Sequence, residues 1–372
     1  METIIHLTTN VYSLSFVAAI VAFLVSVNIY PTINFLSKKK NLMDDPVERS
    51  AHTRQTPNLG GVGLFMAFTI CILIFASILE FSRFSLTQLI VLIAAISILF
   101  FIGVRDDLIG IKPLKKISAQ SISAALVIFV TDIRIQDLHG LLGIGEISYV
   151  ISVALTIVLF VFLVNAFNLI DGIDGLAGSI GILVSTIFGI FFLINEYNFL
   201  ALISLVLIGT IIGFLKFNLS DKNKLFMGDS GSLFIGFLIA YQAVGFLGME
   251  ITTYETFNIP NRYILFLAVM AFPILDTVRV FFVRIAKGRH PFSADRQHLH
   301  HKLLSLGYSH KQASLLIVSA NFLVVALTFF SSNFSVNIQL TMVIMLVLSL
   351  GLLPCFLRKE EGGSIKFVMP KL

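Results

Sequence analysis

The sequence predicts an all-α polytopic membrane protein of about eleven transmembrane helices, and three observations carry that prediction. Of its 372 residues, 57% are hydrophobic and only 13% charged, about half the share usual in a soluble domain. The mean hydropathy is +0.94. Apolar runs of about 20 residues, the length an α-helix needs to cross a bilayer, recur along the whole chain, whereas a membrane β-barrel would show short alternating segments.

Helices are expected over 11–33, 59–80, 86–104, 118–131, 149–167, 176–194, 198–216, 231–248, 262–285, 313–331 and 336–356. The first follows a stretch without Lys or Arg, Met1 to Asn10, and is long for a signal peptide, so it reads as an uncleaved span. The second opens on Gly60-Gly61, and the third ends at Arg105-Asp106-Asp107. The fourth is the shortest. The fifth and sixth flank the polar stretch 165–175, and the seventh and eighth flank 216–230. The ninth carries Asp276 and Arg279, and the last two follow the histidine-rich loop 284–311. Cys71 and Cys355, in or beside apolar runs, support neither a disulfide nor a metal site. No repeat or linker divides the chain, so residues 1–372 read as one integral-membrane domain.

The basic residues orient it. With the N-terminus outside, 23 of the 26 Lys and Arg fall on inner loops and the C-terminus; Arg83, Arg134 and Arg262 are the outer ones. The positive-inside rule then places the N-terminus outside and the C-terminus in the cytoplasm. The polar loops near 34–58, 105–117, 165–175, 216–230 and 284–311 all share the inner face. A transporter would keep its functional charges near the bilayer midplane. Charges at inner helix ends favour an enzyme at the cytoplasmic surface, and basic residues facing an anionic leaflet do not point to nucleic acid.

Each loop has a plain and a functional reading. Gly60-Gly61-Val62-Gly63 is either a glycine-rich helix start or a clamp of backbone N–H groups for an anion. Asp106-Asp107 needs a cation, a proton-transfer role or solvent, and Lys116 can meet a phosphate as a point charge. Asn165-Ala-Phe-Asn-Leu-Ile-Asp-Gly-Ile-Asp-Gly175 crowds two amides and two carboxylates between apolar runs, a donor set suited to a hard cation such as Mg2+. Asp229 is either a helix N-cap or a metal carboxylate. Arg296, His298, His300 and His301 suit an anionic diphosphate better than zinc. Asp276 reads as a packing partner for Arg279. Together these groups are the equipment of metal-assisted phosphoryl transfer.

In order along the chain, Asp106-Asp107, the 165–175 stretch, Phe226-Met-Gly-Asp-Ser-Gly-Ser232 and Pro291-Phe-Ser-Ala-Asp-Arg-Gln-His-Leu-His-His301 resemble the motifs of the polyprenyl-phosphate N-acetylhexosamine-1-phosphate transferases. The resemblance runs from about Leu42 to Lys311. The His-Leu-His-His form is similar to the bacterial branch that starts O-antigen, enterobacterial common antigen or teichoic acid linkage, usually with UDP-GlcNAc. The sister branch, which transfers phospho-MurNAc-pentapeptide, has three consecutive histidines where Leu299 interrupts them here.

The resemblance implies a transferase of the bacterial inner membrane with its active site on the cytoplasmic face. Its donor would be a UDP-sugar, its acceptor undecaprenyl phosphate within the membrane lipid, and its cofactor Mg2+, with Mn2+ as a substitute. By the same resemblance Asp229 is the main metal carboxylate, with Asn168 beside the ion. Asp106 and Asp107 lie near the lipid phosphate and act in catalysis with Asp229. Lys116 binds phosphate, and Asp295, Arg296, His298, His300 and His301 hold the sugar nucleotide. Asn165, Asp171 and Asp174 are expected at the substrate, and His290 replaces a serine often found before Pro-Phe-Ser. A homodimer fits the family. The alternatives are another UDP-N-acetylhexosamine, UDP-MurNAc-pentapeptide included, and a non-enzymatic lipid or anion transporter.

Overall fold

The computed structural model describes residues 11–44, 55–249, 261–290, 297–360 and 365–367. The helices are α1 (Val11–Lys39), α2 (Gly60–Ile78), α3 (Arg83–Ile109), α4 (Pro113–Thr131), α5 (Tyr149–Ile170), α6 (Leu176–Ile194), α7 (Asn198–Asn218) and α8 (Gly228–Gly248). They continue with α9 (Arg262–Val269), α10 (Ala271–Ala286), α11 (Leu299–Ser305), α12 (His310–Phe330) and α13 (Val336–Leu352). Two short antiparallel pairs, β1 (Met43–Asp44) with β2 (Thr56–Pro57) and β3 (Leu357–Lys359) with β4 (Ile365–Phe367), are the strands among the described residues. Ten helices are long and apolar enough to span a bilayer, and α9 with α10 makes an eleventh span bent by 70°. Cys71 and Cys355 are unpaired.

All eleven expected spans are present, and several run further than their apolar runs. The α3 helix continues through Asp106 and Asp107 to Ile109 and stops at Gly110, whose φ of 70° leaves the helical region. Pro113 then starts α4, where a missing N–H costs nothing. The loop expected over 105–117 is therefore largely helical, and its charges sit on rigid helix ends.

The break between α9 and α10 lies at Met270, beside Pro273. Proline cannot donate to the carbonyl four residues back. Asn321 of α12 offsets the loss: its Nδ2 donates to Val269 O (2.9 Å) and its Oδ1 accepts from Phe272 N (3.0 Å). Satisfying freed backbone groups from a neighbouring helix is what makes a broken span tolerable in lipid. Asn321→Leu should therefore lower stability by about 1–3 kcal/mol. Thermal unfolding in detergent measures this, and an unchanged midpoint would count against the bridge.

The axis of the fold is α8, almost wholly buried between α2, α3, α5 and α6. Small residues bring the neighbouring backbones close to its N-terminus. A Cβ on Gly61 would lie 2.2 Å from Gly231 N, and one on Gly103 2.4 Å from Ser230 Cα. Such small-residue contacts are the usual means of close helix packing in lipid, and here they anchor the turn that carries Asp229.

Candidate active site

Four helix ends meet at one end of the bundle, where alternating hairpins bring the C-termini of α3 and α5 beside the N-termini of α4 and α8. They bound a cleft of about 470 Å3 whose lining includes Asp106, Asp107, Asn168, Asp171, Asp229 and His301.

Asp229 lies at its centre. Its Oδ1 accepts from Asn168 Nδ2 (2.7 Å), and its Oδ2 accepts from the Lys116 ammonium. Lys116 also reaches Asp106 Oδ2 at 2.5 Å, so one ammonium bridges two carboxylates. Asp106 Oδ1 accepts from Ile111 N (2.5 Å), which fixes the carboxylate against the turn after α3.

The neighbouring Asp107 has a different task. Its Oδ1 accepts from Asp229 N (2.7 Å) and its Oδ2 from Ser230 N (3.0 Å). It thus caps two of the free N–H groups at the start of α8 and places negative charge at the positive end of the helix dipole. Gly228 makes this approach feasible, because it has φ 70° and a Cβ there would lie 2.4 Å from Asn58 O. The adjacent pair expected at the lipid phosphate is therefore divided: Asp106 is tied to Lys116, and Asp107 holds the helix that presents Asp229.

Asn165 is not brought to the cleft, and the glycine loop takes its plain reading. Asn165 stays outside the cleft lining, because its Nδ2 donates to Gln120 Oε1 (2.6 Å) and Val161 O (2.7 Å) within the bundle. The N–H groups of Gly60 and Gly61 donate to Phe226 O (2.9 Å) and Met227 O (2.8 Å), so they form no anion clamp. The glycines serve packing, as their plain reading had it.

Asp171 carries the case for a cation. It lines the cleft with no side-chain partner among the described residues. Burial first, and then the charges of Asp229, Asp107 and Asp174, push its carboxyl well above the ordinary carboxylate range. Six aspartates line the cleft, with Lys116 paired to Asp106 and Asp229 and Lys224 to Asp174, so negative charge is in excess there, which fits a divalent cation. The described residues contain no group of three His, Cys, Asp or Glu spaced to hold a metal by themselves.

Asp174 ties the turn to its surroundings. Its Oδ2 accepts from Lys224 Nζ (2.6 Å) and His310 Nδ1 (2.8 Å), while Ser314 Oγ donates to its backbone oxygen (2.8 Å). Asn218 Oδ1 accepts from Gly175 N (2.7 Å) beside it. Burial alone would raise the Asp174 carboxyl, but the hydrogen bonds and charges of His310 and Lys224 outweigh it and hold it below the ordinary value. A depressed carboxyl stabilises the fold above its unfolded value of about 3.9 and loses that contribution as pH falls through the folded value. The gap in thermal midpoint between the wild type and Asp174→Asn should therefore stay constant from pH 7 to 5 and shrink below about pH 4. A gap that does not depend on pH would contradict this assignment.

The three histidines have three environments. His298 is buried; its Nδ1 donates to Asp276 Oδ2 (2.7 Å), and Arg284 approaches its Nε2 at 3.5 Å. Asp276 also accepts from Leu299 N (2.9 Å) and Arg279 (3.1 Å), so it anchors the start of α11 as well as pairing with Arg279 as expected. His300 is buried too, and burial pushes its imidazole down to about 3, leaving it neutral at physiological pH. Only His301 lines the cleft. Asp295 and Arg296 lie outside the described residues.

Sequence reasoning missed Lys224, Asn218 and His310. Asn218 and His310 also line the cleft. The one signal for His310 is the capping box of Ser309 and Gln312, which starts α12 at the inner face directly after the histidine loop.

Residues 89–247 match the glycosyl transferase family 4. The chain is 33% identical to the undecaprenyl-phosphate alpha-N-acetylglucosaminyl 1-phosphate transferase of Haemophilus influenzae, over 81% of each chain. It is 31% identical to the decaprenyl-phosphate N-acetylglucosaminephosphotransferase of Mycolicibacterium smegmatis, over 73% of this chain and 71% of the relative. It is 27% identical to the Salmonella typhi enzyme that bears the same name as the Haemophilus protein, over 80% of each chain.

Proposed function

Because the chain belongs to glycosyl transferase family 4, the polyprenyl-phosphate N-acetylhexosamine-1-phosphate transferases, we propose that it transfers N-acetylglucosamine-1-phosphate from UDP-N-acetylglucosamine to undecaprenyl phosphate. The products are undecaprenyl-diphosphate-N-acetylglucosamine and UMP. The observation that carries this reading is the Lys116 ammonium held between Asp106 and Asp229 at the helix ends that bound the cleft. A cation so placed meets the phosphate of a lipid whose tail stays in the bilayer. The positive-inside split supports a cytoplasmic cleft in the bacterial inner membrane, where nucleotide sugars are available.

The reaction is a direct displacement. An oxygen of the lipid phosphate attacks the β-phosphorus of the donor, and the bond to the UMP oxygen breaks. A phosphate monoester has a second pKa of about 6, so the attacking oxygen is already largely ionised and no strong base is required. Lys116 offsets charge on the transferring group. Asp106 orients the ammonium and takes any remaining proton. Asp107 and Asn168 keep Asp229 in place. Asp229 and Asp171, with the Asn168 carbonyl oxygen, would hold Mg2+ or Mn2+, which when bound neutralises the diphosphate and the departing UMP. The hydrogen bonds on both oxygens of Asp107 and of Asp229 disfavour either as a covalent nucleophile.

Purified protein in detergent, given Mg2+, undecaprenyl or decaprenyl phosphate and a panel of UDP-sugars, should release UMP with UDP-N-acetylglucosamine, and a chelator should stop it. Release with another UDP-sugar would keep the chemistry and replace the donor. No release with any donor, from folded protein, would overturn the assignment.

A further inference from the structure

His300 belongs to the motif expected to hold the sugar nucleotide, yet it is only 2% exposed and does not line the cleft. Its ring sits among Ile170, Leu176, Phe272 and Ile317, with Asp276 also at the edge, around a void of about 10 Å3. Its Nε2 has no hydrogen-bond partner among the described residues. Nε2 therefore holds the ring by no hydrogen bond, although an unmet buried polar atom is costly.

What the ring does touch is the turn after α5. A Cβ on Gly172 would lie 2.2 Å from His300 Nε2 and 2.8 Å from its Cε1. Gly172 follows Asp171, whose carboxylate has no side-chain partner among the described residues. From the other side the ring stacks on His298, with centroids 5.5 Å apart and planes 8° apart. His298 is itself fixed by Asp276 of α10 at 2.7 Å. A column of packed groups thus runs from the broken span through His298 and His300 to the backbone beside Asp171.

We propose that His300 is a positioning residue whose ring, rather than its nitrogens, props the Gly172 turn and so sets Asp171 in the cleft. Asp276 and His298 hold that ring from beneath, and His301 alone of the three faces the substrate. The inference rests on the transferase reading, and the test below separates the two.

Three variants are compared in detergent: His300→Phe, His300→Ala and Gly172→Ala, the last also combined with His300→Ala. A phenyl ring keeps the prop and suits the apolar surroundings, so His300→Phe should keep UMP release within about fivefold of wild type. Removing the prop in His300→Ala should lower kcat by about 10²-fold, the scale of a misplacement of about 1 Å. Its KM for the UDP-sugar should change less than about threefold, because no contact to the donor is lost. Gly172→Ala should lose activity and thermal midpoint through the clash, and adding His300→Ala should recover part of both.

A His300→Phe protein with a wild-type midpoint but about 10²-fold less activity would overturn the inference, because the nitrogens would then matter. So would a raised KM with unchanged kcat in His300→Ala, or additive losses in the double variant. If the wild type released no UMP, the transferase reading would fail, while recovery of the midpoint in the double variant would still decide the packing claim.

Discussion

Asp229→Asn should reduce UMP release by about 10³-fold or more, the upper range for losing a group that organises transition-state charge. The substitution keeps the shape of the side chain but removes the charge that holds Lys116 and that, in the proposed mechanism, would hold a divalent cation with Asp171. Lys116 would keep only Asp106 as an ionic partner. The fold should survive, because the N-terminus of α8 is capped by Asp107 and not by Asp229 itself. The informative measurement is turnover together with the thermal midpoint: activity lost at an unchanged midpoint supports the assignment. More than a tenth of wild-type activity would remove Asp229 from the centre of the chemistry.

Lys116→Met should cost about 10²–10³-fold in kcat. Its ammonium is the one positive side chain bridging Asp106 and Asp229, and no other described group takes that place. Without it the two carboxylates repel each other and the approaching lipid phosphate meets uncompensated negative charge. Lys116→Arg should recover only a fraction, because a planar fork cannot reproduce a compact ammonium held between two carboxylates. Steady-state kinetics with varied lipid phosphate would test both variants. Wild-type kcat in Lys116→Met would show that the bridge is structural.

The eleven spans were legible because the bilayer imposes a length and a composition that few other structures share. Their ends were less so. A polar turn such as Arg105-Asp106-Asp107 continues a helix as readily as it ends one, and hydropathy cannot tell the two apart. The bend between α9 and α10 was hidden for a related reason: Pro273 announces a weak point, but whether the span breaks depends on Asn321, some fifty residues later, being there to satisfy the freed groups.

The site shows the same division. Asp106, Lys116, Asn168, Asp171 and Asp229 were recognisable as its polar groups from residue type, spacing and the resemblance they carry. Their tasks were not. Adjacent residues on a helix point about 100° apart, so Asp106 faces an ammonium while Asp107 faces two backbone amides. The same rotation, with the anchor that Asp276 supplies, buries His300 and leaves His301 in the cleft. Asn165, three residues before Asn168, meets Gln120 instead of the cleft.

By itself, then, the sequence determined that this is a helical membrane protein with acidic groups gathered at helix ends, because bilayer thickness and charged side chains constrain one-dimensional pattern directly; that those groups belong to a transferase came from the motifs they share with that family. Only the tertiary structure decided which carboxylate caps α8, which one bridges Lys116 and which histidine meets the cleft, because those depend on the direction of each side chain and on partners as far as 123 residues away.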